Sequence, residues 1–599
     1  MTDGRIFVCG LMALAAGCSM TSCIDDTYDM SKEIDMTVGL GSKGLQLKVG
    51  NTEKIWLADV LEVDNEEMLE TTSAGTFYLV KHDDADFSFN VPSFTASVNV
   101  AKLSPNLPLL TFDELKGVLG GGAGVSQLVV PGGWTTKQVP LKVASTDLFS
   151  LTNLPKEIKS LKRIIPAKES STVSVALEIA PNTSTQKFVI DSYKNLQVTL
   201  PDFFKLKGYD KNVLTIGSAT NVNSESLVVA EFEVESLELA GENGVDLTNG
   251  KRLDITGNYA VSGDFSIKAA EQFTVKSGDE TTIRVIVQIG KQKSSNKVNV
   301  SFAEVEGVFA PEINPNISPI NIAKDVPDFL TDPEVCIMAA NPTFRLDVDM
   351  AQVPVDLTMW GNLYSIKGGK TIANVRIPGN DVVSLVGKKA STIYFCQEAQ
   401  PFDPDGTAQG ASIYNVSNLN DVMQTIPDQI RVDFNDNKIN VTDKLTTIGL
   451  GKTYNAQLDY SVYVPFEFNT GLKIVYEEVI DNISGDLEDL GAEGAEISAI
   501  VDNKVPLALQ LTAVPLDVHG KEIPGVTVST LDVPANAESQ VKVTIKFANP
   551  TDLQKLDQLS LKVNAKTESN GVTLTSDQYI QLKDIRLTLL GQIIADLND

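Results

Sequence analysis

Histidine is nearly absent from this 599-residue chain; His82 and His519 are the two it has, and neither has a second histidine near it in sequence. Zinc sites built from several histidines and nucleophile–histidine–carboxylate triads therefore find no support. His519 sits in Asp517-Val-His-Gly-Lys-Glu522, which reads as a hairpin turn, and His82 precedes Asp83-Asp84-Ala85-Asp86. Tryptophan is scarce too: Trp56, Trp134 and Trp360 stand singly and aromatics make up 7%. A glycosidase needs two carboxylates at a set separation, usually in an aromatic-lined cleft, and with 78 Asp and Glu any pair found in sequence is uninformative. Gly120-Gly-Gly-Ala-Gly124 lacks the Gly-Lys-Ser/Thr ending of a phosphate loop and opens no helix, so it reads as a flexible loop. The expectation is a non-enzyme.

Positive charge is also in deficit. Against 78 acidic residues stand 49 Lys and Arg, for a net −29 and a pI near 4.5. Such a field repels phosphate backbones, and no basic cluster is present, so nucleic acid is excluded as a partner. Beyond residue 23 the cysteines are Cys336 and Cys396, each in an apolar strand-like run. They fit either a bridge formed in an oxidising compartment or two inert buried thiols. No later stretch approaches the roughly 20 apolar residues needed to span a bilayer as a helix.

What the chain does have is period-two alternation, the mark of strands with one buried face. Val173, Val175, Leu177 and Ile179 alternate with Ser174, Ala176 and Glu178; Ala230, Phe232 and Val234 alternate with Glu231, Glu233 and Glu235. Leu458, Tyr460, Val462, Val464, Phe466 and Phe468 point one way, with Asp459, Ser461, Tyr463 and Glu467 pointing the other. Val541 to Phe547 and Leu559 to Ala565 repeat the pattern. An all-β protein follows, of tandem antiparallel β-sandwiches of immunoglobulin-like or late-embryogenesis-abundant-like type. Short helices are expected at Phe112–Leu119, Leu419–Ile426 and Asp552–Gln558, the last with a capping-box pattern at Thr551–Gln554.

At about 150 residues per domain the chain has room for roughly four. The expected division is an export segment at 1–22, an acidic tether at 23–33 and a strand-rich N-terminal module at 34–133. Sandwiches follow at 134–309, 335–470 and 471–599, with a linker at 310–334 where three prolines fall between Ala310 and Pro319. Asp403-Pro-Asp405-Gly406 is the nearest approach to a calcium loop, though it lacks the third acid and the later bidentate Glu, and an Asp-Gly turn fits it better. His82 to Asp86 and the Glu231/Glu233/Glu235 row invite the same comparison, and read better as solvated strand faces or loops. Calcium is the one cofactor considered, and none is expected.

The amino end places the chain. Arg5 precedes Ile6 to Gly17, an apolar run too short to cross a membrane and suited to an export signal. Ala15-Ala16-Gly17-Cys18 and Met20-Thr21-Ser22-Cys23 both resemble the lipobox of bacterial lipoproteins. Cys23 is preferred as the lipidated residue because Ile24-Asp25-Asp26 follows it, and Asp25-Asp26 resembles the surface-export signal of Bacteroidota lipoproteins. Asp25 to Asp64 resembles the opening of a family of large Bacteroidota outer-membrane lipoproteins without a known biochemical role. Val335 to Pro342 and Val543 to Pro550, strands closing on Asn-Pro, resemble late-embryogenesis-abundant (WHy-type) β-sandwiches, a likeness bearing on fold alone.

These resemblances imply a lipid-anchored outer-membrane protein exposed at the surface of a Gram-negative cell, with a structural, adhesion or assembly role and a protein or matrix partner. The alternative is a glycan-binding surface lipoprotein beside a nutrient-uptake porin, with Trp134, or Trp360 near Tyr364, as the aromatic platform. Metabolic labelling with a palmitate analogue is expected to mark the wild type and to disappear in Cys23→Ala. Labelling that persists in that variant rejects Cys23 as the site.

Overall fold

The computed structural model describes residues 38–595 apart from 41–44, 62–67, 100, 182, 243, 248–251, 290–296, 325, 481–489, 492–493, 550–551, 553–554 and 591–592. Cys18, Cys23, Asp25 and Asp26 lie outside the described residues, as do Thr551, Leu553 and Gln554 of the expected capping box. The protein is all-β, and its strands form three antiparallel sandwiches with a few short helices.

In the first sandwich one sheet runs Lys297–Phe309, Ile158–Pro166, Ser226–Glu238, Thr172–Pro181, Glu280–Ile289, Ala101–Thr111. It faces a sheet of Val213–Ala219, Phe188–Thr199, Arg252–Ala269 and Val139–Thr152. The alternation read from sequence appears directly in burial. Val173, Val175 and Leu177 are fully enclosed, and so are Ile190, Leu196, Val198 and Phe265 of the facing sheet. The glutamates at 231, 233 and 235 lie on the opposite, solvated face of their strand, one of them paired with Lys207.

The central sandwich carries a six-stranded sheet in the order Ser412–Asn415, Ala390–Cys396, Thr343–Asp349, Thr453–Pro465, Phe77–Asn90, Leu69–Thr71. In the C-terminal sandwich Leu45–Gly50, Tyr579–Leu590, Gly494–Asn503, Glu538–Phe547 and Val526–Val528 form one sheet. Lys473–Ile480, Gln558–Lys566, Ala508–Leu516 and Leu531–Val533 form the other.

The N-terminal strands do not make a module of their own. Leu45–Gly50 and Ile55–Trp56 join the C-terminal sandwich, Phe77–Asn90 joins the central one, and Thr95–Asn99 and Ala101–Thr111 join the first. Each of these strands is alternating and apolar on one face, but none lies beside enough of the others to close a core. Each finds its neighbours elsewhere in the chain. Three sandwiches therefore take the place of roughly four domains.

The 310–334 segment also differs from the expected linker. Its prolines keep it out of a long ladder, yet Ile313, Ile320, Ile322, Val326 and Leu330 are all buried, and Ile320–Asn321 pairs with Gln429–Asp433. Strands crossing between sandwiches add further ties: Thr446–Gly449 pairs with Lys297–Phe309, and Glu467–Phe468 with Val572–Thr573.

The helix at Phe112–Leu119 forms as expected. Thr111 and Glu114 exchange the reciprocal hydrogen bonds of a capping box, and Gly120 closes the helix at φ 80°, a left-handed conformation glycine adopts freely. The Leu419–Ile426 signal shortens to one turn of 3-10 helix at Leu419–Val422.

A fragment of residues 134–309 lacks Ala101–Thr111 and so exposes the edge of Glu280–Ile289. That fragment is expected to aggregate or melt without cooperativity, whereas 94–309 melts as one unit by circular dichroism. Equal melting of the two contradicts the shared-strand architecture.

Candidate functional site

The outer face of the central six-stranded sheet collects polar residues from strands far apart in sequence. Phe344, Leu346 and Val348 point into the core, which leaves Arg345, Asp347 and Asp349 on the other side. Cross-strand register then builds rows. His82, Ser461, Arg345 and Tyr394 form one row; Asp84, Asp459, Asp347 and Thr392 form the next; Asp86, Gln457, Asp349 and Ala390 form a third.

Three carboxylates thus stand side by side in the middle row. Directly opposed like charges across a ladder disfavour pairing, so the row needs compensation. Arg345 supplies part of it: its Nε lies 2.8 Å from Asp347 Oδ2 and its guanidinium 3.3 Å from Asp405 Oδ2. Although burial opposes the charged form, the Asp347 carboxylate and the polar groups around Arg345 hold its pKa above the usual value. Thr392 Oγ1 donates to Asp347 at 2.5 Å, and Gln457 Nε2 donates to Asp459 at 3.2 Å.

The segment after Cys396 folds back over the upper part of this face. Phe402 packs against Tyr78 and Tyr463, with ring centroids 5.3 and 6.4 Å away. Tyr463 donates its hydroxyl to Asp405 at 2.9 Å, and burial together with that carboxylate pushes its pKa up to about 12. Tyr463 and Ser461, expected on a wet face, are buried; the segment that covers Tyr463 leaves no trace in strand periodicity.

Asp403 and Asp405 are turned into this network and away from a metal site. Asp403 accepts from the Thr407 and Ala408 backbone N–H groups at 3.0 and 2.8 Å and from the Tyr394 hydroxyl at 3.0 Å. Burial alone raises the Asp403 pKa, but these donors outweigh it and the net shift is downward. Gly406, at φ 69°, closes the turn. Both oxygens of Asp403 accept hydrogen bonds within the loop, and Asp405 is tied to Tyr463 and Arg345, the arrangement of an Asp-Gly turn. Among the described residues no group of three or more His, Cys, Asp or Glu is arranged to hold a metal ion.

Below the covering segment the face stays open as a cleft of about 390 Å³, lined by Asp347, Asp349, Asp459, Thr392, Thr407 and Gln409 among others. Carboxylates, hydroxyls and an amide converge here, a set suited to hydrogen-bonding a polyhydroxylated or cationic ligand. The sequence alone marks Asp459 as outward and His82 to Asp86 as a solvated face or loop, but singles out neither Asp347 nor Asp349. The signal was present in Arg345-Leu-Asp347-Val-Asp349, polar at every second position; the register that joins it to Asp459 and Asp84 was not.

The remaining candidates lie elsewhere. Cys336 and Cys396 are free thiols. Cys396 is buried and donates to the Glu398 carbonyl at 3.1 Å, and burial followed by the Glu398 charge pushes its pKa up to about 11. Cys336 sits beside Gln424 at 3.6 Å, in backbone pairing with Lys473, so the two thiols have separate partners and form no bridge. Each expected platform has a neighbour against its ring and is half-buried. Arg376 lies 4.6 Å over Trp360, Arg431 lies 4.5 Å over Tyr364, and Trp134 packs against the core beside Phe188. His82 shares a 2.7 Å hydrogen bond with Ser461, and the backbone N–H of His519 donates to Asp517 within the hairpin read from sequence.

No protein-family model matches the chain, and no curated protein matches it. Among solved structures it is similar to a protein of Parabacteroides distasonis ATCC 8503, named as secreted, at 15% identity. That alignment covers 50% of this chain and 86% of the other, with a TM-score of 0.34. Alignments with tripeptidyl peptidase 2 and with an archaeal virus turret protein of triple jelly-roll fold are each 8% identical and cover 76% of this chain. They cover 37% and 90% of those chains, with TM-scores of 0.10 and 0.08. At these scores none of the likenesses carries an argument about this chain.

Asp403→Ala is expected to lower stability by about 1–2 kcal/mol, the cost of releasing a few hydrogen bonds at a partly open site, with urea melts as the measurement. Because the folded pKa lies below the unfolded one, the contribution is complete above about pH 4 and fades as pH falls through the folded value. The gap between wild type and variant should close in acid, and added calcium should leave the wild-type melting temperature unchanged. A calcium-dependent rise contradicts this reading of the loop.

Proposed function

We propose that this chain is a lipid-anchored outer-membrane protein, exposed at the surface of a Gram-negative cell, with a non-enzymatic structural, adhesion or assembly role. The observation that carries the reading is the union of a lipobox-like Cys23, followed by Asp25-Asp26, with a body of sandwiches joined by shared strands. Strand sharing makes a stiff spacer, and a stiff spacer on a lipid tether presents loops to a partner at a set height. The net charge of −29 keeps such a surface soluble and away from nucleic acid.

A second reading, glycan binding beside a nutrient-uptake porin, is favoured by the acidic, hydroxyl-lined cleft on the central sheet. It is weakened by the arginine already lying over each of Trp360 and Tyr364, since sugar recognition usually stacks a ring on an open aromatic face.

Protease added to intact cells is expected to degrade the protein, which should fractionate with outer membranes and release no sugar or peptide product from surface polymers. Full protection, or recovery in the cytosol, contradicts the reading. On a glycan array, specific binding lost in Asp459→Asn selects the second reading over the first.

A further inference from the structure

We infer that the C-terminal sandwich is the part of the molecule that lies against the lipid surface, through the end carrying the Asp517–Lys521 turn. The inference rests on the reading that the lipid is attached at Cys23, and it adds which face of which domain meets the membrane.

The path of the chain gives the direction. Val38 comes fifteen residues after Cys23. Fully extended, that length reaches about 50 Å at most, at roughly 3.3–3.6 Å per residue. Val38–Leu40 pairs with Ile593–Ala595, and Leu45–Gly50 then pairs with Ile585–Leu589. The tether therefore joins the body where Tyr579–Leu590 ends, beside Gly494 and Lys546.

The opposite end of that strand meets the rest of the protein. Ile580, Leu574, Val505 and Leu507 line an apolar cavity of about 120 Å³ together with Phe466 and Phe468 of the central sandwich. In the second sheet Lys473 faces Lys566 and pairs with Cys336 of the central sandwich, while Ile480 faces Leu559 and Leu516 faces Gln558 at the far end. Both sheets thus have one end on the central sandwich and one end beside the tether.

A separate observation marks the tether end. Val479 and Val514 flank Ser560 on one cross-strand row and are 52% and 41% exposed; Val518, in the adjoining turn, is 64% exposed. They are the exposed large apolar side chains among the described residues of 471–590. Water-facing valines on neighbouring strands and the adjoining turn gain by resting in the headgroup boundary, and a tether that already holds them there lowers the entropic cost of doing so. In this orientation the cleft of the central sandwich and the whole first sandwich point away from the membrane.

The test uses residues 23–599 with a phospholipid coupled to the amino terminus, in a Cys23→Ser, Cys336→Ser background, bound to phosphatidylcholine–phosphatidylglycerol vesicles. Energy transfer to a headgroup acceptor is read from a dye at Val518→Cys, Ile372→Cys or Val118→Cys. Transfer should fall in that order, at least several-fold between the first and last. Adding Val479→Asp with Val514→Asp should reduce transfer from position 518 at least two-fold without changing the melting temperature. Equal transfer from all three positions, or the reverse order, overturns the orientation; an unchanged signal in the double variant overturns the apolar contact. Mass measurement of the acyl group on the cellular protein is independent of these arms, so a missing acyl group sinks the anchoring reading alone.

Discussion

Every buried backbone N–H and C=O needs a hydrogen-bond partner, and the ladder partners of the N-terminal strands are hundreds of residues away. Phe77–Asn90 pairs with Thr453–Pro465 through thirteen successive residues, and Leu45–Gly50 pairs with Ile585–Leu589. Leaving such an edge unpaired exposes a row of donors and acceptors at the margin of an apolar core, which costs free energy and invites aggregation. The consequence is a body in which the central and C-terminal sandwiches are each completed by strands from distant parts of the chain. Pairing over such separations must overcome loop-closure entropy before it is rewarded, so folding waits for the C-terminal strands.

The same constraint explains what could be read from the sequence. Period-two alternation reports which face of a strand is buried, and at 172–180, 230–235 and Glu538–Phe547 the burial follows the pattern. It does not report which strand lies alongside. Residues 34–133 therefore looked like a module, although their strands serve three sandwiches. Prolines between Ala310 and Pro319 looked like a linker because proline leaves ladders, yet the isoleucines between and after them are core residues. Tyr463 sits on the outward parity of its strand and is buried where the segment around Phe402 folds back on it.

The candidate site was legible in composition but not in position. The alternating Arg345, Asp347 and Asp349 are plain in sequence, whereas the row they form with Asp459 and Asp84 exists only through register. Arg345 partly balances that row and also reaches Asp405, so one guanidinium links the covering loop to the acidic row. The Asp403–Gly406 turn, which composition alone likened to a calcium loop, is part of that cover. Its carboxylates bind their own chain.

The central claim is that strands near the amino end are built into sheets made by the far end of the chain. The direct measurement is oxidative cross-linking of Ser88→Cys with Asn455→Cys, facing residues on the open side of the central sheet. The account predicts rapid, near-complete disulfide formation in the native protein. It predicts little in a control pairing Ser88→Cys with Ala456→Cys, whose side chain points into the core. Absence of the first cross-link, or equal yield from the two pairs, would contradict the architecture on which the rest is built.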